Sequence, residues 1–60
     1  MSPTELKAVE KRGDRVKSND GRTGYVLASF FTRDDVLRCV VEYERSNALE
    51  IISPSNLTKT

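Results

Sequence analysis

The chain has no histidine, no tryptophan, one cysteine and four aromatic residues among its 60 positions. Each shortage excludes something. Without histidine, the side chain that titrates near neutrality is missing, and with it the usual general acid-base. A single thiol, Cys39, closes no disulfide, and without histidine it leaves an ordinary zinc site short of ligands. Long hydrophobic runs are also lacking. The longest is Tyr25 to Ala28, far below the ~20 apolar residues that span a bilayer or the core of a signal peptide. The three glycines, Gly13, Gly21 and Gly24, open no helix and form no phosphate loop. These absences lead us to expect no catalytic residue, no cofactor, no metal and no membrane partner. A lone thiol without a targeting segment suggests a reducing, cytoplasmic setting.

Sixty residues and 6.8 kDa allow one small domain. A domain this small buries only about 60% of the surface of its unfolded chain, so its stability is modest unless it self-associates. The net charge of +1 points to no partner class. Its distribution says more: residues 1–33 hold seven basic and four acidic groups, residues 34–60 three and five. The basic excess is densest from Lys11 to Arg22, enough for a local positive patch on a nearly neutral protein.

Residues 1–12 read as a short helix or an arm. Ser2-Pro3-Thr4-Glu5 has capping-box spacing with proline at the first helical position. Leu6 and Val9 share one side, and Gly13 is placed to end the helix after Lys11 and Arg12. From Gly13 every signal is β. Asp14–Lys17 is a short strand with Val16 inward, and Ser18-Asn19-Asp20-Gly21 is a turn. Gly24 marks a bulge or bend. Tyr25–Phe31 is rich in β-branched and aromatic residues, with Val26, Ala28 and Phe30 on one face. After a polar reversal at 32–35, Val36–Glu44 alternates, with Leu37, Cys39, Val41 and Tyr43 inward and Arg38, Glu42 and Glu44 outward. Ala48–Ile52 is a fourth strand. Ser53-Pro54-Ser55-Asn56 cannot continue a ladder and reads as a 3₁₀ turn, and Leu57–Lys59 closes the chain. Five short strands with one 3₁₀ turn before the last predict an all-β, five-stranded SH3-like barrel over residues 13–60. An OB-like barrel would need a helix between strands three and four, where only a tight turn fits.

Candidate chemistry is sparse. Asp34 and Asp35 are neighbours on a turn and point apart. Glu42 and Glu44 form an outward acidic stripe, and Cys39 sits in the most apolar strand with no cation spaced to activate it. Binding has more support. If Val26 is inward, then Tyr25, Leu27, Ser29 and Phe31 face outward, close to the basic turn. Aromatics beside cations suit base stacking and phosphate attraction, which makes Arg15, Lys17, Arg22, Tyr25 and Phe31 the candidate surface for nucleic acid or a protein partner. An apolar outward strand is equally what packing by the helix or another subunit needs.

Two resemblances attach to these residues, both to SH3-like barrels. Gly13-Asp14-Arg15-Val16, followed by Gly21-Arg22-Thr23-Gly24-Tyr25-Val26, resembles the opening of a KOW motif, which implies a module contacting RNA or protein. From Gly13 to Lys59 the chain also resembles the plasmid-borne type II dihydrofolate reductases. The shared features are the Gly-Asp-Arg-Val opening, the Val41-Glu42-Tyr43-Glu44 strand and the last leucine after the 3₁₀ turn. That resemblance implies a homo-oligomer, with Leu49, Glu50, Ile51 and Ile52 at the subunit interface where the reductases line a pore with Val-Gln-Ile-Tyr. Only Ile51 is retained. Glu50 stands for the glutamine, Ile52 for the tyrosine, and Ser18 for the early lysine. Symmetry-related carboxylates in one pore would repel each other and the phosphates of a dinucleotide. The scaffold transfers and the reductase activity does not. The sequence therefore predicts a non-catalytic binding module for nucleic acid or protein, with a self-associating barrel as the alternative.

Overall fold

A computed structural model describes every residue from Met1 to Thr60. Helix α1 spans Pro3–Arg12 and begins where the sequence supplies a cap. The Glu5 N–H donates to the Ser2 hydroxyl at 3.2 Å, and the Ser2 N–H donates to the Glu5 carboxylate at 3.0 Å, satisfying two backbone donors reciprocally. The helix stops at Gly13, left-handed at φ 70°, whose N–H returns to the Val9 carbonyl. Leu6 and Val9 are each 1% exposed against the sheet. Ten residues make a marginal helix alone, so this docking is what orders the segment as helix and not as a free arm.

The cap gives α1 a pH dependence. The Ser2 N–H, then the Ser2 hydroxyl, hold the Glu5 carboxyl below its ordinary value of 4.5. Because the folded value is the lower one, the stabilisation is complete above pH 4.5 and is lost as pH falls through the folded value. Acidification from pH 6 to 3 is therefore expected to fray the first turn, read from the ¹³Cα shifts of residues 3–6. Glu5→Gln should abolish that pH response; an unchanged response would place its origin elsewhere.

Five strands follow: β1 (Arg15–Ser18), β2 (Thr23–Phe31), β3 (Leu37–Tyr43), β4 (Leu49–Ile52) and, after a 3₁₀ turn at Pro54–Asn56, β5 (Leu57–Lys59). They form one antiparallel sheet in the order β4-β3-β2-β1-β5. The edge strands β4 and β5 share no ladder, so the sheet is open where the sequence predicts a closed barrel. Proline at the start of the 3₁₀ turn has no N–H to extend β4, and the chain leaves that edge to pair Leu57 with Ser18 of β1 instead. The core lies on the α1 side: Leu6 and Val9 meet Val16, Val26, Cys39, Val41, Tyr43 and Leu57, with Met1, Leu37 and Ile52 packed around them. No helix is long and apolar enough to cross a membrane.

Strand β2 departs from the alternation read in the sequence. Gly24 pairs regularly, opposite Val16 on one side and Tyr43 on the other. The bulge falls instead at Leu27, between the pairs Val26–Val41 and Ala28–Val40. One extra residue reverses the facing of everything after it. Ser29 and Phe31 therefore turn to the α1 side, opposite Cys39 and Leu37, while Ala28 and Phe30 turn outward opposite Val40 and Arg38. The inward placing of Ala28 and Phe30, and the outward placing of Ser29 and Phe31, are corrected accordingly.

Candidate docking surface

The register of β2, β3 and β4 defines the outer face of the sheet row by row. Tyr25, Glu42 and Leu49 form one row; Ala28, Val40 and Ile51 the next; Phe30 and Arg38 the third. Leu27, the bulged residue, stands beside them. Five large apolar side chains remain open to solvent here: Tyr25 is 38% exposed, Leu27 49%, Phe30 40%, Leu49 59% and Ile51 60%. At about 200 Å² for a large side chain, their exposed parts amount to roughly 500 Å². That is the size of the largest apolar patch on a typical monomer, which is often a binding site.

The basic surface expected from the sequence is largely neutralised and divided. Arg15 reaches Glu44 at 3.3 Å. Arg22 bonds Asp20 at 2.7 Å and both Glu50 oxygens at 3.2 Å, and stacks 4.1 Å from the Tyr43 ring centre. Burial opposes its charge, but the hydrogen bonds it donates to Glu50 and Asp20 outweigh burial and raise the guanidinium above its ordinary value. Asp20 is held low by the Ser18 hydroxyl, against a smaller opposing effect of burial, with the Arg22 N–H adding to the hold. This network pins the 18–22 turn to β4. Arg15, Lys17 and Tyr25 do share the outer face, since Arg15 pairs with Tyr25 and Lys17 with Thr23. Phe31 does not join them. It lies 67% exposed on the α1 side, at a groove of about 130 Å³ that it lines with Pro3, Leu6, Lys7, Ser29, Leu37 and the edge of Phe30.

The Leu49–Ile52 segment is also split. Leu49 and Ile51 belong to the outer face, whereas Glu50 and Ile52 pair with Val41 and Cys39 on the core side. Glu50 is thereby committed to Arg22 and, at 3.4 Å, to the Tyr43 hydroxyl. Burial, then the Glu50 charge, raises that phenol above its ordinary 10.0. The largest concavity, about 490 Å³, lies beside this network and is lined by Asp20, Gly21, Arg22, Thr23, Tyr43, Arg45 and Ser46. Of its hydroxyls, Tyr43 donates to Glu50 and none bonds its one carboxylate, Asp20.

Phe30, Val40, Arg38 and Glu42 complete the outer face and were not among the sequence candidates. For Val40 the signal was present, since strict alternation puts it between the outward Arg38 and Glu42. For Phe30 there was none, because a bulge inside an apolar run leaves no trace in residue type.

Comparison with known protein families, with curated proteins and with solved structures finds no match to this chain. The outer face itself is therefore the ground on which function is argued.

Proposed function

We propose that this chain is a small non-catalytic binding module of SH3-like strand order, its sheet open between β4 and β5, whose outer face on β2, β3 and β4 docks against a protein surface. The observation that carries this reading is the five exposed apolar side chains on three adjacent strands. The strand order and the 3₁₀ turn before β5 support the SH3-like scaffold. Protein is favoured over nucleic acid by the charge: Arg15 and Arg22 are already paired with carboxylates, and Phe31 stands apart from Tyr25. Lys17 is the one member of the basic set without an ion pair. A reductase pore is disfavoured because Glu50 is held by Arg22.

A photo-crosslinking residue at position 27 or 51 is expected to trap protein, and the same residue at the exposed Lys11 of α1 to trap none. Lys17→Glu should leave the adducts unchanged. Adducts confined to position 11, or nucleic-acid adducts lost with Lys17→Glu, would overturn the reading.

A further inference from the structure

We propose that the occupant of the outer face is a second copy of this chain, packed face to face about a two-fold axis that crosses β3 at Val40. The inference rests on the docking reading above and names its partner.

The pattern of the face is self-complementary. Along β3 the outward residues are Arg38, Val40 and Glu42, a cation and an anion equidistant from an apolar centre. At about 3.4 Å per residue, the two charged positions stand roughly 14 Å apart. Neither Arg38 nor Glu42 makes an ion pair within the chain. An axis lying between the two sheets and perpendicular to β3 lays β3 antiparallel over its copy. Val40 then faces Val40 of the second copy, and each Arg38 faces a Glu42. The same operation places each Tyr25 over a Phe30, because these residues pair with Glu42 and Arg38 respectively. The small central row, Ala28, Val40 and Ile51, meets its own copy, with Ala28 leaving room for the bulged Leu27. An axis parallel to β3 would instead stack Arg38 on Arg38 and Glu42 on Glu42, a like-charge arrangement that disfavours it. Of these two axes, the charge pattern selects the one perpendicular to β3.

Area and stability point the same way. The roughly 500 Å² of exposed large apolar side chain, with Ala28, Val40, Arg38 and Glu42 added, approaches the ~800 Å² per partner of a standard stable interface. The single chain has only eight buried apolar residues in its core, and small domains commonly gain stability by association. In the sandwich, β2 is covered on both faces, by α1 on one side and by the second copy on the other. That accounts for its nearly continuous apolar sequence.

Sedimentation equilibrium of the full chain between 5 μM and 1 mM tests the proposal, together with Arg38→Glu, Glu42→Arg and the double exchange. The wild type is expected to dimerise. Each single exchange sets two like-charge contacts across the axis and should weaken dimerisation at least tenfold, and the double exchange should restore it to within threefold. Circular dichroism checks that the variants stay folded, and a soluble paramagnetic probe reports which amides the dimer shields. A monomer at 1 mM with an accessible outer face overturns the second copy as occupant and leaves the docking surface for another protein. A dimer that is insensitive to the exchanges and shields only the β4 edge overturns the face-to-face geometry. A dimer that shields the α1 side overturns the docking reading as well.

Discussion

Gly24→Ala is expected to remove about 3 kcal/mol of stability, the upper end of what overpacking costs. The reason is space. A Cβ at position 24 would lie 2.2 Å from the Glu42 carbonyl oxygen and 2.9 Å from the Tyr43 Cα. Both obstacles are backbone of β3, held by ladders to β2 and β4, so no side chain can swing aside. Domains of this size have a total stability on the order of 0.05–0.15 kcal/mol per residue, so the loss is a large share of the whole. Gly13 is the control. Its φ of +70° strains any other residue, but a Cβ there meets nothing within 4 Å, and Gly13→Ala should cost only about 1 kcal/mol. Urea unfolding of both variants checks the contrast. If Gly24→Ala stays within about 0.5 kcal/mol of wild type, the close passage of β2 over β3 is wrong.

The second large effect is expected at the junction of helix and sheet. Leu6→Ala should destabilise by about 2–5 kcal/mol, since it empties the largest fully buried side chain beneath α1. The protein carries its own reporter. Cys39 is the only thiol, is 0% exposed, and donates its S–H to the Ile52 carbonyl at 3.4 Å. Burial, then the Glu10 charge, holds its pKa above 9.0, so it reacts with a thiol reagent only when the core opens. At about 1.4 kcal/mol per factor of ten, Leu6→Ala should speed labelling of Cys39 at least roughly 30-fold. Destabilisation with an unchanged labelling rate would show that α1 does not guard this part of the core.

Leu6 lies where the sequence and the structure agree, and the agreement has a local cause. The α1 boundaries are legible because capping is a matter of a few adjacent residues: Ser2 and Glu5 three apart, Gly13 after Arg12. The turn at 18–22 follows from Asn-Asp-Gly chemistry, and Gly21 takes φ 91° there. Asp35 and Asn47 adopt positive φ in the next two reversals, at 61° and 54°, again residue types that tolerate it. β3 keeps unbroken alternation, so Cys39, Val41 and Tyr43 could be assigned to the core by period alone.

The candidate surface was less legible, because it depends on pairs distant in sequence. Arg15 and Arg22 read as free cations until Glu44 and Glu50 are brought to them by β3 and β4. Tyr25 and Phe31 read as one aromatic face until the extra residue at Leu27 places them on opposite sides. Gly24 was readable as a position of special backbone but not for the right reason, since its constraint is a neighbouring strand and not its own dihedral angles.

By itself, then, the sequence determined a small β-rich domain with a capped helix, the position of nearly every strand and turn, and an inventory that lacks histidine. These properties arise within a few residues along the chain, through capping, turn chemistry and period-two patterning. Only the tertiary structure decided that the sheet stays open between β4 and β5, that most of the basic set is neutralised, and that Phe30 and not Phe31 joins Tyr25 on the outer face. Those outcomes depend on register and on charges brought together from strands far apart in sequence, and neither is written in any single segment.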